Sequence, residues 1–160
     1  MKTVKARVFS GGYQEFPVSR IEKFRPSTYG ITVHENKILL LHNKNSAGLS
    51  LPGGGIDLGE TNQEALKREF AEETGLDVEV GRLIIALQDF FYYGPTDQLV
   101  HTFLFFYACS PLSWDLHKDT DVDDEEAEKP RWIPLADLTP SHFVSHGREI
   151  LNFAKTGVWQ

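Results

Sequence analysis

Three carboxylates stand close together in one stretch of this chain: Glu69, Glu72 and Glu73. They occupy positions i, i+3 and i+4, so on a helix all three project from one face. Like charges at this spacing repel, costing a few tenths of a kcal/mol per pair. They also fall in the last turns of the expected helix, where the dipole disfavours negative charge. A hard divalent cation would offset both penalties, because Mg²⁺ and Mn²⁺ prefer carboxylate and water oxygens. The competing reading of three glutamates alone is a solvated acidic helix face.

The element that carries them is well marked. Thr61 is a good N-cap, Glu64 three residues on completes a capping box, and Gly75 suits the left-handed position after the last turn. With Ala65, Leu66 and Phe70 as its apolar side, this predicts a helix over 62–74. Ahead of it, Pro52 is followed by Gly53, Gly54 and Gly55, which permit positive φ and close backbone approach. A phosphate-binding P-loop is excluded, because Gly59 is followed by Glu60-Thr61 rather than Lys-Ser/Thr. A dinucleotide fingerprint fails because Leu58 stands three residues after Gly55.

The full pattern is Gly54, five residues, Glu60, seven residues, Arg68-Glu69-Phe70, one residue, Glu72-Glu73, one residue, Gly75-Leu76. It resembles the complete signature of the Nudix hydrolase superfamily, over residues 54–76 of 160. The resemblance implies a single domain over 1–160, of α/β (α+β) class: an α/β/α sandwich with a mixed β-sheet. It implies that Glu69, Glu72 and Glu73, with the Gly54 carbonyl, hold Mg²⁺ or Mn²⁺, and that Glu60 and Arg68 orient the loop and helix. Arg68 is expected to pair with a motif carboxylate. The implied reaction is hydrolysis of a diphosphate linkage. Metal ions would neutralise phosphoryl charge and activate a water for in-line attack. The general base would be Glu69, Glu73 or a glutamate from elsewhere. Residues 115–128 hold eight acidic residues in fourteen. A solvated loop is one reading of that run; the other brings Glu126, ahead of Trp132, over the metals.

Composition is compatible with this. The net charge of −7 argues against a general binder of nucleic-acid polymers, while bound metal ions would let an acidic protein handle phosphates. The single cysteine, Cys109, excludes an intrachain disulfide and reads as a buried thiol at a strand end. With no signal-peptide pattern and no stretch of about 20 apolar residues, a cytoplasmic protein with no membrane role is expected.

Elsewhere strands are expected at Val4–Phe9, Tyr29–His34, Lys37–His42, Val78–Tyr93, Leu99–Cys109 and Arg131–Leu135. Glu35-Asn36 would be a two-residue hairpin turn, and Ser141–Lys155 a second helix. In the aromatic run Phe90–Tyr93, Phe91 and Tyr93 are candidates to stack on the substrate, and Arg25 to touch phosphate or ribose. Leu51-Pro52-Gly53-Gly54-Gly55-Ile56 looks most like the MutT-like branch, which favours a nucleoside triphosphate or related nucleotide. The alternative is a non-catalytic nucleotide-binding sensor of the same fold. A homodimer is compatible with the resemblance.

Overall fold

The structure is a computed structural model that describes residues 1–8, 11–42, 48–116 and 129–160. β1 (Thr3–Val8) and β2 (Tyr13–Pro17) pair antiparallel, and β1 runs parallel to the long β8 (Val78–Tyr93). β8 turns back into β9 (Gln98–Pro111), which lies parallel to β3 (Ile21–Ile31). β7 (Gly53–Gly55) closes the edge against β3, giving a six-stranded mixed sheet of order β2-β1-β8-β9-β3-β7. A second sheet orders β10 (Lys129–Pro134), β5 (Lys37–His42) and β4 (Val33–His34), with β6 (Leu49–Ser50) also on β5.

The two helices cover opposite faces of the large sheet. α1 (Asn62–Thr74) buries Leu66 and Phe70 against Leu39, Leu76 and Cys109. α2 (Gly147–Thr156) buries Ile150 and Leu151 against Ile31, Leu104 and Phe106. Strand alternation explains how β3 serves both cores. A Cβ at Gly30 would sit 2.4 Å from the Phe70 ring, while its neighbour Ile31 belongs to the α2 side. The α/β/α sandwich with a mixed sheet is therefore the observed architecture. Among the described residues, no helix is long and apolar enough to cross a membrane.

Several expectations need correction. β3 begins at Ile21 rather than Tyr29 and stops at Ile31, so the expected Tyr29–His34 strand is two elements. β2 was not expected at all. The second helix starts at Gly147, not Ser141. Its supposed first turn is a 3-10 turn, Pro140–His142, capped by the Thr139 amide donating to His142 Nδ1 at 3.2 Å. Phe143 and Val144 then run beside Leu49, with the Val144 amide donating to the Leu49 carbonyl at 3.0 Å. Their apolar spacing reflects burial of an extended segment rather than a helix face. The hairpin at Glu35-Asn36 is present, with φ of 45° and 61° that fit a type I′ turn.

Cys109 lies buried against α1, and burial pushes its thiol up to about 12. The thiolate is the reactive form. Cys109 is therefore expected to ignore a thiol reagent such as Ellman's at pH 8 and to react at once in urea. Stoichiometric labelling of the native protein on the same timescale would contradict this burial.

Candidate active site

The capping chemistry of α1 fixes where its glutamates begin. The Thr61 hydroxyl accepts the Glu64 amide at 3.3 Å, and the Glu64 carboxylate accepts the Thr61 amide at 2.8 Å. The far end stops at Gly75, with φ of 74° and its amide on the Ala71 carbonyl at 3.1 Å. The buried stripe Ala65, Leu66, Phe70 and Thr74 sets the rotation of the helix. Glu69 and Glu73 then face the edge strand β7.

That strand must be glycine at two places. Gly53 has φ of 136°, and a Cβ there would meet the Thr28 carbonyl oxygen at 2.1 Å. Its amide donates to Glu73 Oε2 at 2.8 Å. At Gly54 a Cβ would lie 2.6 Å from Glu69 Oε1, so any side chain would evict that carboxylate. The missing Cβ leaves a cradle lined by carboxylate oxygens and backbone.

Arg68 ties the cradle together. It grips Glu60 with two bonds, Nε to Oε1 at 2.7 Å and Nη2 to Oε2 at 2.9 Å. Its Nη1 donates to Glu69 at 2.9 Å and Glu72 at 3.3 Å, and its Nη2 to the Gly55 carbonyl at 3.1 Å. The Glu60 carboxyl is held down at about 2, first by Arg68 and then by the Asp57 amide. Glu69 moves the other way: burial raises it, Arg68 opposes this, and the charge of Glu72 adds to the rise. The Glu69 side chain is 14% exposed and that of Glu72 60%, so the three glutamates are unequal. Among the described residues, no three carboxylate, imidazole or thiol groups stand close enough to hold an ion as they are, and Arg68 bonds to two of the helix glutamates. The donor set suits a hard cation: Glu69 and Glu73 oxygens beside a glycine backbone.

The three substrate candidates come together. Arg25, Phe91 and Tyr93 line one cleft of about 500 Å³ with Lys23, Gln98 and Val100. Arg25 connects it to the glutamates, since its guanidinium lies 3.2 Å from where a Gly55 Cβ would be. The other two aromatics of the run face away: Phe90 stacks on His101 at 4.5 Å and Tyr92 lies 4.6 Å from Phe16. Glu126 lies outside the described residues. A second cleft of about 490 Å³ on the α2 face involves Arg7, Tyr29 and Ser145, none singled out from the sequence. Strand alternation could have put Arg7 on one face of β1, but its neighbours there come from distant segments.

The depressed Glu60 carboxyl has a measurable consequence. A carboxyl held below its ordinary value of 4.5 adds stability that is present above that pH and lost as pH falls toward about 2. Thermal melts of Glu60→Gln should therefore lie below the parent at pH 6 and lose less melting temperature between about pH 4.5 and 2. Parallel curves for the two proteins would show that the Arg68–Glu60 grip contributes nothing.

Comparison with known proteins agrees with this geometry. Residues 23–152 match the family model described as the NUDIX domain. An RNA pyrophosphohydrolase of Francisella tularensis subsp. mediasiatica is 30% identical over 108 residues, covering 62% of this chain and 70% of that protein. An ADP-ribose pyrophosphatase of Methanocaldococcus jannaschii is 47% identical over 58 residues, and the match spans only 34% of either protein. The crystal structure of a MutT NUDIX hydrolase from Burkholderia pseudomallei superposes with a TM-score of 0.63 at 24% identity, covering 82% of this chain and 98% of that one. On the family match and the fold together, this chain belongs to the Nudix family.

Proposed function

We propose that this chain is a divalent-metal-dependent hydrolase that cleaves the diphosphate linkage of a small nucleotide, a nucleoside triphosphate or a related compound. One observation carries the reading: the oxygens of Glu69 and Glu73 converge on a glycine edge strand that has no room for a side chain. Glu69, Glu72, Glu73 and the Gly54 carbonyl would hold Mg²⁺ or Mn²⁺. Bound there, the ion would supply charge neutralisation for the phosphoryl oxygens and a lowered pKa for a water.

The chain's own residues do the rest. Arg68 keeps Glu69 and Glu72 near each other despite their charge. Glu69 is one candidate to take a proton from the attacking water. Glu73, or Glu126 from the acidic segment, is the alternative base. The water oxygen bonds to phosphorus as the bridging P–O bond breaks, and the second phosphate leaves. Arg25 would meet a phosphate, and Phe91 and Tyr93 would cover a ring of the substrate.

The MutT-like sequence around Gly53 supports a nucleoside triphosphate. The archaeal relative's name makes ADP-ribose the chief competitor. The net charge of −7 speaks against a polymer, although the bacterial relative is named for RNA. Purified protein would be incubated with Mg²⁺ or Mn²⁺ and a panel of nucleoside triphosphates, dinucleoside polyphosphates, nucleotide sugars and ADP-ribose. Turnover of one class is expected, abolished by chelator and reduced at least about 100-fold in Glu73→Gln. No turnover of any compound, or equal turnover by the variant, would overturn the proposal.

A further inference from the structure

Five buried side-chain nitrogen and oxygen atoms lack a hydrogen-bond partner among the described residues. One of them, Arg7 Nε, belongs to a side chain that lines the cleft on the α2 face, and another, His146 Nδ1, belongs to the residue after Ser145 of that lining. A buried polar atom without a partner is costly, so such atoms mark places where a ligand or water completes the bonding. Arg7 comes from β1, where its register opposite Phe91 lays the guanidinium 4.6 Å from that ring. Its Nε stands 3.5 Å from Asp89 Oδ2, with the two side chains 15% and 17% exposed. Asp89 is fixed by the Phe90 amide, which donates to Oδ1 at 2.8 Å. His146 follows Ser145 of the cleft wall and holds a left-handed backbone, φ 53°, with its ring 5.7 Å from Phe106. Burial lowers the His146 imidazole below its ordinary value, while Asp89 and Arg7 act on its charge in opposite directions.

The chemistry of this wall differs from that of the neighbouring cleft. Arg7 is neutralised by Asp89, so the pair has little attraction for a phosphate. It offers instead a donor and an acceptor side by side in a low-exposure site. Lys23 and Arg25, in the other cleft, make no ion pair among the described residues and keep their charge for anions. Tyr29 and Phe106, stacked at 5.6 Å, supply a flat apolar surface in the cleft with Arg7. A flat surface beside an uncharged donor–acceptor edge matches one part of a nucleotide.

We propose that Arg7 and Asp89, with His146 beside them, read the hydrogen-bonding edge of the substrate's nucleobase in this cleft. The phosphates and sugar then lie toward Arg25 and the glutamates. This rests on the nucleotide reading above and adds the residues that choose among bases.

Nucleoside monophosphates, which have no diphosphate to cleave, test it by calorimetric titration in Mg²⁺ beside ribose 5-phosphate. At least one monophosphate should bind about tenfold or more tighter than ribose 5-phosphate. Asp89→Asn turns an acceptor into a donor, and should change the ratio of affinities between bases by about tenfold. Arg7→Met should flatten the ranking. In the parent protein the His146 ring signals in NMR should shift with the preferred monophosphate and stay in place with ribose 5-phosphate. The proposal is overturned if ribose 5-phosphate binds as tightly as every nucleotide. It is equally overturned if Asp89→Asn, shown folded by its melt, keeps the parent ranking. Should that variant not fold, still His146 signals with every monophosphate would overturn it. Base-selective binding without any hydrolysis would sink the diphosphate-cleavage reading and leave this one standing.

Discussion

A single guanidinium holds the site in shape. Arg68 meets carboxylates from the loop before the helix and from the helix itself, and it also holds a β7 carbonyl. Glu69 is largely shielded from water, and a shielded carboxylate with no opposite charge is strongly unfavourable. The helix end adds to the difficulty, since no basic residue stands in its last turn. Arg68 supplies the missing positive charge from the preceding turn. The same residue therefore ties the loop 53–60 to the helix and holds the glycine strand beside the glutamates.

The hydrophobic layers decide where that unit sits. Phe70 and Leu66 seat α1 on the sheet through Gly30, where only a glycine leaves room for the Phe70 ring. β7 reaches the sheet edge by pairing with Ser27, Thr28 and Tyr29 of β3. β3 thereby connects the glutamates to both clefts: Arg25 lies toward one, and Tyr29 lines the other.

The helix 62–74 was legible to the residue because Thr61, Glu64 and Gly75 mark both ends by local hydrogen bonding. The hairpin at Glu35-Asn36 was legible for the same reason. The start of β3 was not, because Ile21–Pro26 is an exposed, polar run held by pairing with β9 rather than by its own pattern. The start of α2 was misread because Phe143 is buried without being helical, and burial alone mimics helical spacing. In the site, the signature residues were legible because one helix and one loop carry them. Arg7 and Asp89 were not, since β1 and β8 bring them together only in the fold.

The central claim is that the Glu69 and Glu73 carboxylates beside Gly53 and Gly54 form a cation site. Titrating Mn²⁺ into metal-free protein, with free Mn²⁺ followed by its EPR signal, tests this without any substrate. Saturable binding at neutral pH is predicted for the parent, and a large loss of affinity when Glu69 and Glu73 are both changed to Gln in a protein that still folds. No saturable binding by the parent, or unchanged binding by the folded double variant, would contradict the claim.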